Sequence, residues 1–230
     1  MTRILKIYQK VETSLSYLLS NNCDEGEFLK KKFRNKKITC LDAGSNVGTY
    51  IDLIRKKLKT KKIYIFEPSK TCFNFLKKKY KEKEINIFNI ALSNKSKKLK
   101  FYEKEITSQS TLNTKKNNFF KNLKNRSVYT IKCISLDKFY KINNNKEFYD
   151  IIKIDCEGED YNIIRGAKRL LKNGLIKLIK IEIKFEKDNF YEIVNFLNKF
   201  NYKLVTITKT KFNKKHNLDH LDAYFEKKNN

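Results

Sequence analysis

Short β-branched runs alternate with longer amphipathic stretches along most of this chain, and that rhythm admits few folds. Ile38-Thr39-Cys40-Leu41 reads as a first strand. Val47 to Leu58 reads as a helix with Tyr50, Ile51, Ile54 and Leu58 on one face. Lys62 to Phe66 predicts a second strand, Ser69 to Tyr80 a second helix with Ser69 as N-cap, and Ile85 to Ile90 a third strand. Leu99 to Tyr102 reads as one arm of a small hairpin. Further strands are expected over Val128 to Ile134, Asp150 to Asp155, Leu175 to Ile183, Lys203 to Thr208 and Leu221 to Glu226. Helices are expected over Asp160 to Lys172 and Phe190 to Phe200. Strands interleaved with helices of this length imply an α/β fold, a mostly parallel sheet with helices on both faces.

The 230 residues suit a single domain over 37–230, preceded by a helical extension over 1–36. Ile4, Ile7, Val11, Leu15 and Leu18 recur there at helical spacing. A helix packed on the domain is favoured over one lying at a membrane surface. No apolar run is long enough for a transmembrane segment, and the start lacks a signal-peptide core. The net charge of +27 invites a nucleic-acid reading. Composition argues against it: 46 lysines against six arginines, with 26 asparagines, is the mark of an AT-rich coding bias. The lysines are spread along the chain, and base recognition favours arginine. Five widely spaced cysteines without a C-x-x-C pair indicate a reduced, cytoplasmic protein.

The most informative segment is Asp42-x-Gly44-x-Asn46-x-Gly48, which follows a strand and opens a helix. Gly44 permits a tight turn and close approach of backbone to ligand, and Gly48 permits close packing of the helix start. A dinucleotide loop would read G-x-G-x-x-G. Here Asp42 stands in place of the first glycine, where it would repel a pyrophosphate and suit a cationic ligand. S-adenosylmethionine has a sulfonium, an amino group and no phosphate. Glu67, in Phe66-Glu67-Pro68 at the end of the second strand, lies 19 residues after Gly48. A carboxylate at that place can accept hydrogen bonds from two ribose hydroxyls. Asp155-Cys156-Glu157-Gly158-Glu159-Asp160 puts four acids after an apolar strand, where α/β enzymes keep their sites. Glu159 and Asp160 are explained by the helix dipole, whereas Asp155 and Glu157 are candidates for catalysis. The spacing His216-x-x-Asp219-His220 lacks enough further ligands for a metal site, so no metal is expected.

These segments together resemble the FkbM family of S-adenosylmethionine-dependent methyltransferases. The matching text is LDAGSNVGTY (41–50), IFEPS (65–69), NIALSN (89–94), ISLDKF (134–139) and IIKIDCEGEDYNIIRGAKRLL (151–171), with a weaker echo in IKIEI (179–183). The likeness covers roughly residues 38–205. It implies a class I methyltransferase fold, with a seven-stranded Rossmann-like sheet whose last strand is antiparallel. It implies that Asp42, Gly44, Ser45, Asn46 and Gly48 line the methionine part of S-adenosyl-L-methionine. Glu67 and Pro68 would hold the ribose, and Ala91 and Leu92 would lie near the adenine. Asp155, Glu157 and Gly158 would face the reaction centre, Asp155 touching the cofactor as well. Two positions depart from the family pattern: Asn201 replaces a glycine before Tyr202, and Asn94-Lys95 replaces a glycine-bearing turn. Asparagine tolerates positive φ, so both are compatible with the fold.

The leading expectation is O-methylation of a hydroxyl on a sugar, glycan precursor or small metabolite. The polar segment Ile106 to Arg126, with Ser108, Ser110 and Thr111, is a candidate cover for the acceptor. One rival is a nucleic-acid methyltransferase using the basic surface. It lacks the N/D-P-P-Y/F segment of amino-group methyltransferases, since Pro68 is the only proline. A second rival is a non-catalytic binding module on the same fold.

Overall fold

The computed structural model describes residues 23–104, 125–143, 147–185, 190–212 and 218–228. The expected helix at Ile4 to Leu18, the residues of the polar segment through 124 (Ser108, Ser110 and Thr111 among them) and His216 lie outside these.

Ten strands and seven helices follow one another among the described residues. They are α1 (Glu25–Lys32), β1 (Lys37–Ala43), α2 (Thr49–Lys57), β2 (Lys59–Phe66), α3 (Lys70–Lys79), β3 (Ile85–Phe88), β4 (Ala91–Leu92), β5 (Lys97–Lys104) and β6 (Asn125–Ile134). Then come α4 (Leu136–Ile142), β7 (Tyr149–Ile154), α5 (Asp160–Arg165), α6 (Lys168–Lys172), β8 (Ile176–Lys184), α7 (Phe190–Asn198), β9 (Tyr202–Phe212) and β10 (Leu218–Lys227).

Seven strands form one sheet in the order β3-β2-β1-β7-β8-β10-β9. The pairs from β3 to β8 are parallel, and β10 runs antiparallel to both of its neighbours. The expected antiparallel last strand is therefore present, inserted between β8 and β9. A second, three-stranded sheet has the order β4-β6-β5. Its β5 is the expected hairpin arm, paired antiparallel to β6.

Alternation along the strands sorts the side chains into two cores. Leu41, Phe66, Ile152, Ile154, Ile179 and Ile181 face α4 to α7, whose Phe139, Ile163, Leu171 and Ile193 pack against them. Cys40, Ile63, Ile65, Ile151 and Leu178 face the other way, under Leu29 of α1, Ile51 and Ile54 of α2 and Leu76 of α3. Helix α1 is tied down by polar contacts as well. Its Glu25 receives a hydrogen bond from Lys180 of β8 at 2.5 Å and another from the Tyr224 hydroxyl of β10.

Local signals explain the ends. Ser69 caps α3, accepting from Cys72 N at 3.0 Å, as its sequence position predicted. Asn201 adopts φ +60, the left-handed conformation for which asparagine substitutes for glycine. The helix expected over 160–172 is two helices, broken at Gly166 and Ala167. A Cβ at Gly166 would lie 2.3 Å from the Ser93 carbonyl oxygen, so the break lets the chain after β4 rest against the helix backbone. Asn125 and Arg126, read as the end of the polar segment, are the first two residues of β6 instead.

Candidate functional site

The carboxyl ends of β1, β2 and β7 meet at one edge of the large sheet, which is where ligands bind in open parallel α/β folds. The loop between β1 and α2 is held from several sides. Gly44 has φ +78, and a Cβ there would sit 2.0 Å from the Asp155 carbonyl oxygen. Gly48 has φ +83 and forms the N-cap of α2, with the Tyr80 hydroxyl 2.9 Å from its carbonyl oxygen. A Cβ at Gly48 would meet that hydroxyl at 2.4 Å, so two glycines are required by geometry. Between them Asn46 also takes positive φ, +50. Its N–H donates to Glu67 Oε2 at 2.7 Å, and its side-chain oxygen accepts from the Cys72 thiol at 3.1 Å. Ser45 is buried.

Glu67 ends β2. Its other carboxylate oxygen accepts from Ser69 N at 2.8 Å, so the side chain bridges the β1 loop and the start of α3. Burial pushes its carboxyl up to about 7, although the two N–H groups pull the other way. The Pro68 carbonyl accepts from Asn89 Nδ2 at 3.0 Å and from the Tyr129 hydroxyl at 3.3 Å. Ala91 and Leu92 form β4, and both are buried, Ala91 in the small core of the second sheet and Leu92 in the main one.

Asp42 is fully buried at the end of β1, and neither of its carboxylate oxygens accepts a hydrogen bond among the described residues. It is charge-paired with Lys153 of β7, whose ammonium lies 3.2 Å from Oδ1. The same ammonium lies 3.4 Å from Asp155 Oδ2 and donates to the Gly44 carbonyl at 2.8 Å. Burial works against the charge on Lys153. Asp42 and Asp155 outweigh it and hold the ammonium above the ordinary lysine range.

After β7 the chain turns at Glu157, φ +52, and Gly158, φ +100. A glutamate in this conformation stores strain on the order of 1 kcal/mol. The turn is braced by Asp160, which accepts from Cys156 N at 2.8 Å and from Gly158 N at 3.0 Å. Glu159, assigned from sequence to the helix dipole, stands at the N-cap of α5 and also accepts from the Ser93 hydroxyl at 3.0 Å and from Asn162 Nδ2 at 3.2 Å.

Asp155 and Glu157 have a third acidic neighbour that the sequence reading did not single out. Carboxylate oxygens of Asp155, Glu157 and Glu182 of β8 all lie within 4.8 Å of one another. The ammonium of Lys184 reaches Glu157 at 2.7 Å and Glu182 at 2.9 Å. Burial raises the Asp155 carboxyl, but Lys153 and Lys184 overcome it and hold the group below its usual range. Burial and then Asp155 push Glu182 up to about 7 against the pull of Lys184. Lys153, Glu182 and Lys184 had one sequence signal in common. They are charged residues at alternate positions in otherwise apolar strands, Lys153 aligned with Lys180 of the same row.

The strand order, with its inserted antiparallel β10 and a glycine loop at the carboxyl end of β1, is that of the class I methyltransferases. The sequence matches the methyltransferase FkbM domain over residues 42–204, and the chain belongs to that family. Solved structures share the fold at low identity. An FkbM methyltransferase from Methylobacillus flagellatus KT superimposes with a TM-score of 0.54 at 14% identity, over 82% of this chain and 43% of that one. This chain thus spans less than half the length of that relative. An rRNA methylase from Streptococcus thermophilus gives 0.51 at 11% identity, over 89% and 94% of the two chains. A Streptococcus mutans protein solved in complex with SAH gives 0.50 at 12%, over 88% and 95%. No curated protein matches the sequence.

Proposed function

We propose that the chain transfers a methyl group from S-adenosyl-L-methionine to a hydroxyl oxygen of a sugar, glycan precursor or other small metabolite. The observation that carries the reading is Asp42, a fully buried carboxylate at a strand end whose one close polar neighbour among the described residues is the Lys153 ammonium, beside a loop kept free of side-chain bulk by Gly44 and Gly48. A buried carboxylate has more acceptor capacity than one ammonium satisfies, so this acid suits a ligand that brings further donors and positive charge. The amino and sulfonium groups of S-adenosylmethionine fit that requirement, and the bound cofactor would supply an electrophilic methyl group.

In this reading Asp42, Gly44, Ser45, Asn46 and Gly48 receive the methionine part. Glu67, followed by Pro68, accepts from the ribose hydroxyls, with Ala91 and Leu92 on the adenine side. Asp155 touches the cofactor and orients the acceptor, and Glu157 accepts a hydrogen bond or proton from the acceptor hydroxyl. Alignment of the two reactants is the main service such a site provides. Residues 37–230 then form one methyltransferase domain and 1–36 its helical extension, of which α1 packs on the sheet. Five cysteines without a disulfide fit a reducing compartment such as the cytoplasm. No described helix is long and apolar enough to cross a membrane.

Isothermal titration with S-adenosylmethionine tests the cofactor, and absence of binding by folded protein overturns the reading. Tritiated-methyl transfer into fractionated cell extract tests the acceptor. Label in sugars or small metabolites supports the proposal. Label in RNA, with binding that weakens steeply as salt rises, would replace it by the nucleic-acid alternative.

A further inference from the structure

Lys153 is the least expected side chain at this site. It stands in β7 between Ile152 and Ile154 and is 6% exposed, and Asp42 and Asp155 hold its ammonium above the ordinary lysine range against the burial that works to lower it. A lysine ammonium so deeply buried is costly unless paired. Its three contacts come from three different pieces of chain: Asp42 at the end of β1, the Gly44 carbonyl in the loop, and Asp155 beyond β7. Those are the pieces that the proposed function gives to the charged end of the cofactor. Without Lys153, Asp42 would lose the one cation beside it among the described residues, and Asp155 would be left with the pull of Lys184, which is also shared by Glu157 and Glu182.

The two forms of the cofactor differ there by one methyl and one unit of charge. S-adenosylmethionine is a sulfonium, and S-adenosylhomocysteine is a neutral thioether. A site with that excess of negative charge would hold the sulfonium far more tightly than the thioether. That tighter grip stabilises the ground state and raises the barrier to losing the methyl group. From this we infer that Lys153 sets the charge of the cofactor site, limiting its preference for the sulfonium over the thioether. Lys153 is thus a positioning residue with an electrostatic task, acting through Asp42 and Asp155. The inference rests on the methyl-donor reading above.

The test measures the dissociation constants of both cofactor forms by isothermal titration and takes their ratio, thioether over sulfonium. Lys153→Met removes one positive charge and should raise the ratio about tenfold, as a unit charge several ångströms away in a partly screened site does. Asp155→Asn removes one negative charge and should lower it by a similar factor. The double variant should return to within about threefold of the wild-type ratio. Lys153→Arg keeps the charge and should leave the ratio near wild type even where both affinities fall. Thermal melts establish which variants fold. If Lys153→Met does not fold, Lys153→Gln, which removes the charge and keeps a polar head for the Gly44 carbonyl, takes its place with the same expected rise in the ratio. An unchanged ratio in Asp155→Asn, or in a folded Lys153→Met or Lys153→Gln, overturns the inference. Failure of the wild type to bind either form overturns the methyl-donor reading instead, so the two failures are distinct.

Discussion

Gly44→Ala and Gly174→Ala form a matched pair that measures how rigidly the β1 loop is set against the turn after β7. Both glycines are left-handed, at φ +78 and φ +64. Alanine in that conformation costs about 1–2 kcal/mol wherever it stands. At Gly174 nothing more is lost, because the nearest heavy atom to a new Cβ is Lys227 Cε at 3.5 Å. At Gly44 the new Cβ would lie 2.0 Å from the Asp155 carbonyl oxygen, where ordinary contact begins at 3.4 Å, so the two backbones must separate by about 1.4 Å. Neither is a flexible side-chain end, and Asp155 N also donates to the Ala43 carbonyl at 3.2 Å across the same gap. Gly174→Ala should therefore lower the melting temperature by about 2–6 °C. Gly44→Ala should lower it further, by about 6–15 °C, corresponding to about 3–5 kcal/mol. The loop proposed to receive the cofactor would be displaced by more than an ångström, so affinity for S-adenosylmethionine should fall about 100-fold, while Gly174→Ala binds as wild type. Scanning calorimetry and titration on the same samples give both numbers. Equal melting shifts in the two variants, together with wild-type affinity in Gly44→Ala, would refute the rigid contact.

Asp42→Ala should fold, because Lys153 keeps Asp155 and the Gly44 carbonyl as partners, and should lose measurable cofactor binding; wild-type affinity by titration would sink the loop assignment. Glu67 gives a pH signature: its carboxyl keeps a proton up to about 7 in the folded chain and releases it near 4.5 when unfolded. Its contribution is thus fully present below pH 4.5 and is lost as pH rises through about 7, a change of about 3 kcal/mol. Denaturation of wild type and Glu67→Gln across that range should show their difference moving toward the variant, and a constant difference would count against the burial argument. Glu25→Ala strips Lys180 and the Tyr224 hydroxyl of a shared partner and should cost about 2–4 kcal/mol in urea unfolding, since Lys180 is left with one carboxylate, Asp222 at 3.0 Å, and the face of the Tyr50 ring. A loss under about 0.5 kcal/mol would mean that Glu25 contributes little to holding α1, leaving its apolar contacts and the ion pairs of Glu27 and Lys32.

Strand and helix centres were legible because burial imposes a period on the sequence, and their limits were not. The first half of β2 (Lys59 to Lys62) extends past the core, so its side chains carry no apolar signal. β4 is two residues long and has no period to detect. The break at Gly166 answers to a backbone contact with Ser93, which lies 73 positions earlier and leaves no local trace beyond the glycine itself. For the site, Asp42, Gly44, Gly48 and Glu67 announced themselves by type and spacing, and the structure brings all four to one sheet edge. Lys153 and Glu182 did not, because a single charge in an apolar strand looks like an interruption until the neighbouring strands are aligned. Glu157 was read for its carboxylate alone, whereas its positive φ is the more unusual property.

The route of the chain has a consequence for how the protein is made. Glu25 waits for partners 155 and 199 positions further on. Strand β10 is the last described element, and it alone joins β9 to β8. A ribosome that has delivered everything through β9 has therefore produced an α1 that has its Lys180 contact but still lacks Tyr224, and a β9 with no strand beside it. At roughly 5–20 residues per second, the whole span from α1 to β10 must emerge over ten seconds or more before the sheet can close. During that interval the exposed edge of β8 is open to unwanted pairing, and the many lysines along the chain are well suited to keep such nascent copies apart.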